Sequence, residues 1–150
     1  MNYFFNELEN AIQGTWWLLS REDHTKDGQK RIDPVLGQDP IAILVYAKGY
    51  FAAQFMKRDR AANEITQTRT AGNNNTAAIG GYDAYFGTYS FDEAKSLVIH
   101  TLMGSLDPAT IGLIVKRKLD VKDNKLIITL ETTTTEGEPI TRTLTWKHIS

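Results

Sequence analysis

Arg117 poses the sharpest chemical question in this chain. Successive side chains of an extended segment face opposite ways. Leu113, Val115, Arg117 and Leu119 therefore share one face, and Lys116 and Lys118 the other. A guanidinium on an apolar face is costly unless paired. Arg117 needs an internal carboxylate, for which Glu131 is the candidate, or an acidic ligand. His100 shares a face with Val98 and Leu102, but the opposite face of Leu97, Ile99, Thr101 and Met103 is equally apolar, so its side stays open. Gln54 alternates with Tyr50, Ala52 and Met56, which points to an inward polar group in a roomy place. Tyr85 shares a face with Gly87, Tyr89 and Phe91, and Tyr46 ends an apolar run close to a cavity mouth. Gathered around one cavity, Gln54, Tyr85, His100 and Arg117, with Tyr46 at the rim, would form a small-molecule site of convergent polar groups on apolar walls. Arg117 would fix an anionic or carbonyl group, and His100 is the candidate general acid or base. The plainer alternative pairs Arg117 with Glu131 and makes His100 a hydrogen-bonded core residue.

Other chemistries find no support. With no cysteine there is no thiol nucleophile, disulfide or thiolate metal site. His24, His100 and His148 stand far apart, without H-x-H or H-E-x-x-H spacing, so no metal is expected. No G-x-S-x-G elbow, P-loop or dinucleotide fingerprint occurs, and no cofactor is expected. Lys116-Arg117-Lys118 is a basic run in one dimension only, because a strand sends its members to opposite faces. Seventeen basic against 18 acidic side chains leave a net charge of −1, which argues against a nucleic-acid partner.

These residues need a scaffold. A chain of 150 residues with 41% apolar and 23% charged residues reads as one folded domain. The first 20 residues carry Glu7 and Glu9 and no apolar run of signal-peptide length, and no stretch approaches the roughly 18 apolar residues of a membrane span. The chain reads as soluble, non-secreted and cytoplasmic, with no membrane partner. Phe4, Phe5, Leu8 and Ile12 recur at helical spacing over residues 1–13, and Gly14 stops the helix. Segments rich in Thr, Val, Ile, Tyr and Phe then predict strands at 15–24, 41–47, 50–57, 83–91, 95–104, 111–121, 125–134 and 140–148. Ala47-Lys48-Gly49, Lys122-Asp123-Asn124 and Glu136-Gly137-Glu138-Pro139 are turn chemistry between them, and Asp107-Pro108 opens a short helical turn. Residues 22–40 look like an exposed loop. Residues 58–81, polar and rich in Ala, Asn and Thr, look like a partly helical lid over one mouth. The expected fold is all-β: an eight-stranded antiparallel up-and-down barrel with a short N-terminal helix.

Gly14-Thr15-Trp16, at the entrance to the first strand, has the G-x-W arrangement of the calycin superfamily. Gly14 to Ser20, Gly37-Gln38-Asp39-Pro40 and Leu44-Val45-Tyr46 continue the pattern. So do Phe51 to Phe55 followed by Arg58, Tyr85 to Tyr89, His100, Gly104-Ser105-Leu106 before Pro108, Gly112 with Arg117, and Leu144 to Lys147. In this order, over residues 12–148, the chain resembles the bacterial and fungal lipocalin-like domain family. The resemblance implies a barrel with an internal cavity. It also favours Trp16 as a plug beneath the N-terminal helix, packed against Arg142 or Lys147, with Gly14, Trp16 and Arg142 as the structural motif. It implies a container more firmly than its content. The expected function is binding of a small, mostly apolar ligand with a polar or acidic end. The rivals are an isomerase or cyclase in the same cavity, and a filled barrel serving as an interaction domain, its Phe4/Phe5 helix packing on a partner or a second copy.

Overall fold

The computed structural model describes residues 3–63 and 77–150, with side chains from Glu7 onward. The expected lid falls mostly on residues 64–76, outside the described residues, as do the side chains of Phe4 and Phe5. Helix α1 (Tyr3–Ile12) leads into β1 (Gly14–His24), the two-residue β2 (Lys30–Arg31), β3 (Ile41–Ala47), β4 (Tyr50–Met56) and β5 (Tyr82–Asp92). Then come β6 (Leu97–Ser105), β7 (Ile114–Lys122), β8 (Lys125–Thr133) and β9 (Pro139–His148). Every pairing is antiparallel and follows chain order, with β1 and β9 closing the barrel and β2 appended beside β1. The eight long strands are the expected ones. Two begin later than expected: the 3-10 turn Glu93–Lys95 takes the first residue expected in β6, and a turn at 111–112, with Gly112 at φ +90°, follows the 3-10 turn Pro108–Thr110 before β7.

Local chemistry explains the connections. Lys48 and Gly49 take φ of 45° and 93°, and Asp123 and Asn124 take 53° and 60°. These two-residue loops with positive φ match the twist of the strands they join. Gly14 has φ +117° where β1 leaves the helix, and a Cβ there would stand 2.4 Å from the Ser150 carbonyl oxygen. That close approach seats the chain's last residues beside β1, where Thr15 N–H donates to Ser150 O at 2.7 Å.

Helix α1 closes one end of the barrel. Trp16, 1% exposed, donates its indole N–H to the Ile12 carbonyl at 2.8 Å, satisfying a helix C-terminal acceptor. Its ring neighbour across the seam is a histidine and not the expected Arg142 or Lys147. Trp16 meets His148 edge-on, ring centroids 4.8 Å apart, as its register partner on β9. Arg142 pairs in register with Asp23, seven residues along β1 from Trp16, and Lys147 is exposed. Gln13 straps the helix on, donating to Glu9 at 2.6 Å and accepting from the Lys48 N–H at 2.8 Å.

The supposed loop 22–40 is also more ordered than its composition suggests. Asp33 is buried, accepts from the N–H groups of Val35 and Leu36 at 2.7 and 3.0 Å, and folds the segment inward so that Leu36 is buried too. No helix among the described residues is long and apolar enough to cross a membrane.

Candidate functional site

Alternation decides which side chains enter the barrel. On β6, Val98, His100 and Leu102 are buried, which settles the open side of His100. On β7, Val115, Arg117 and Leu119 face in while Lys116 and Lys118 face out, as expected. On β5, Asp83, Tyr85 and Tyr89 face in. On β4 the expectation fails. Phe51, Ala53 and Phe55 are buried, leaving Gln54 exposed on the outer face, where it accepts from the Tyr82 hydroxyl. Both faces of that strand are apolar, and the one carrying two phenylalanines buries more area. Gln54 is not a cavity residue.

The interior holds a cavity of about 230 Å³. Tyr85, His100 and Arg117 line it, against apolar walls that include Leu44, Phe55 and Trp146. Tyr46 is not at a mouth. It is 1% exposed and stands behind His100, its hydroxyl 2.7 Å from Nε2. Phe51 stacks on the same imidazole with centroids 4.1 Å apart and planes at 17°. Burial, and then the nearby Arg117 charge, push the His100 pKa down to about 3, so the ring is neutral at physiological pH. Burial holds the Tyr46 phenol well above its ordinary value. Tyr46 has no other acceptor among the described residues, so its hydroxyl donates to Nε2 and the His100 proton sits on Nδ1. His100 is thus a buried, neutral imidazole held between Tyr46 and Phe51.

Arg117 has no carboxylate partner among the described residues. Its guanidinium donates to the carbonyl of its neighbour Lys116 at 3.1 Å, and Glu131 is exposed elsewhere. Burial lowers its pKa, and the Tyr85 phenol opposes that shift. Burial raises the Tyr85 pKa, and Asp83 adds to it.

Five further charged residues, Arg21, Asp23, Asp33, Asp83 and Arg142, lie in or beside the cavity wall, and of these only Arg142 was singled out in the sequence, as a barrel residue. Arg142 makes a two-point ion pair with Asp23, Nε to Oδ1 at 2.8 Å and Nη2 to Oδ2 at 3.0 Å, joining β9 to β1 in register. Arg21 pairs with Asp33 at 3.3 Å. A bulge in the β1–β9 pairing between Leu18 and Ser20 brings Arg21 and Asp23 inside. Unbroken alternation from Trp16 would have aimed Ser20 and Glu22 inward instead. Asp83 also lines the cavity. It is 5% exposed, and its Oδ1 has no hydrogen-bond partner. Burial lifts its pKa to about 6, with a backbone N–H of Ala84 as the main opposing influence. Its signal was the i, i+2 relation to Tyr85 on the inward face.

The cavity therefore offers an unpaired cation, two protonated donors and an orphaned acceptor within apolar walls, while its other two arginines are neutralised by aspartates. The model of the lipocalin-like domain family matches residues 13–149. That span takes in the whole barrel, from the turn that admits Trp16 to the strand that closes against it, and the chain belongs to the lipocalin-like domain family.

Proposed function

We propose that this barrel binds one small, mostly apolar molecule by an acidic or strongly polar end. The carrying observation is Arg117: a guanidinium on an apolar inner face, lining a cavity, with no carboxylate within salt-bridge distance among the described residues. Leaving a half-buried charge without a counter-ion on an apolar face is unfavourable, and an acidic ligand relieves it through charge-assisted hydrogen bonds. The Tyr85 hydroxyl and His100 Nδ1–H supply further donors for the same group. The cavity lies below the roughly 300–1,000 Å³ of drug-sized pockets, which favours a compact ligand over a long acyl chain or a large macrocycle.

Family membership supports small-molecule binding in general. His100 favours binding over turnover, because a neutral ring whose Nε2 is occupied by Tyr46 is a donor and not a proton shuttle. The test is native mass spectrometry of freshly purified protein, followed by extraction and by calorimetric titration with phenylpropionate. A co-purifying acid, or phenylpropionate binding that Arg117→Met weakens, supports the reading. Binding of apolar neutral molecules alone, unaffected by Arg117→Met, contradicts it.

A further inference from the structure

Asp83 lines the cavity just described, and its Oδ1 is a buried acceptor without a partner. Such atoms are rare in folded proteins, because an unsatisfied buried polar group forfeits its hydration without replacement. The neighbouring cations do not satisfy it: Arg21 is engaged by Asp33 and Arg142 by Asp23. Resting on the acid-anchor reading of Arg117, we propose that Asp83 reads a hydroxyl on the ligand, making the preferred class small hydroxy acids whose hydroxyl is remote from the carboxylate.

Two features define that class. Asp83 and Tyr85 are alternate residues on the inner face of β5, hence roughly 7 Å apart along the strand, and Tyr85 is the nearer of the two to the level of Arg117, whose register runs through Val98 to Phe91. The group meeting Asp83 is therefore separated from the acid end by about the width of a ring. The donor is neutral. An ammonium at Asp83 would enter a cavity lined by Arg21, Arg117 and Arg142, whereas a hydroxyl satisfies Oδ1 without adding like charge.

The test is calorimetric titration of the full chain, at neutral pH, with para-hydroxyphenylpropionate, its para-methoxy counterpart and phenylpropionate. The expected result is a preference of about tenfold or more for the hydroxyl compound, the size of one hydrogen bond to a charged buried acceptor. Asp83→Ala erases that preference while leaving phenylpropionate binding in place. The wild-type comparison needs no variant, so it decides even where Asp83→Ala fails to fold. If all three acids bind equally, the Asp83 proposal is overturned and the Arg117 anchor stands. If none binds and no acid co-purifies, both fall together.

Discussion

The Tyr46 hydroxyl sits 2.7 Å from His100 Nε2, and both side chains are almost fully buried, at 1% and 5% exposure. One bond thus fixes the ring's tautomer and turns Nδ1–H into a donor directed by the barrel and not by solvent. Tyr46→Phe leaves Nε2 as a buried acceptor with no donor. The expected cost is about 1–3 kcal/mol, read by urea denaturation. Nitrogen NMR should find the His100 proton on Nδ1 in the wild type and a mixed tautomer in the variant. An unchanged tautomer would mean that something other than Tyr46 sets the ring.

Arg117→Met separates function from stability. The guanidinium is partly desolvated on an apolar face and lacks an internal carboxylate among the described residues, so an apolar replacement of similar length should fold as well or better. Thermal unfolding of the ligand-free variant should give a melting temperature equal to or above that of the wild type. Phenylpropionate affinity should fall by about tenfold or more, the size of a lost charge-assisted hydrogen bond. A marked loss of stability would instead identify Arg117 as part of the barrel's own structure.

The extent to which the sequence disclosed this site follows from strand physics. Arg117 was legible because β7 alternates cleanly, lysines out and aliphatics in, and Tyr85 because its inward neighbours are aromatic. Gln54 was misplaced because β4 is apolar on both faces, so period-two reasoning has no contrast to read. Arg21 and Asp23 were invisible for a different reason. The bulge after Leu18 changes face parity within one strand, and nothing in Leu18-Leu19-Ser20 announces it. Asp33 sat in a charged, Gly- and Pro-containing stretch, and only the tertiary partner Arg21 draws it inside. Strand order was legible throughout, because short turns with positive φ leave little freedom in which strand pairs with which.

The Asp23–Arg142 pair should behave as a unit. Its two hydrogen bonds lie within the β1–β9 seam, the pairing that closes the barrel. Removing one partner strands a buried charge, so Asp23→Ala should cost about 3–5 kcal/mol. Asp23→Leu with Arg142→Met should recover a large share of that loss. A double-mutant cycle by chemical denaturation measures the coupling, and additive losses would show that the pair is not coupled.

Acid should reveal two buried groups working in opposite directions. Asp83 is raised from 3.8 to about 6 by burial. In the window between those values the native state holds a proton that the unfolded chain has lost, so stability is greatest below 3.8 and falls as pH rises to 6. At about 1.4 kcal/mol per pH unit this amounts to ~3 kcal/mol. His100 is lowered from 6.5 to about 3. Between those values the unfolded chain holds the proton instead, so its contribution is present above 6.5 and is lost as pH falls. From about pH 4 to 6 the two slopes oppose and nearly cancel. The exposed Glu22 and Glu138, held low by Lys30 and Arg31, act mainly below that window. Wild-type stability should therefore be nearly flat across it. Asp83→Asn removes the falling slope, so its stability should climb with pH up to about 6.5 and exceed that of the wild type at neutral pH by about 2–3 kcal/mol. His100→Gln, which keeps an acceptor for Tyr46, should show the mirror trend, losing stability as pH rises from 4 to 6. Denaturation midpoints measured across this range check both signs, and parallel profiles for all three proteins would refute the opposed titrations.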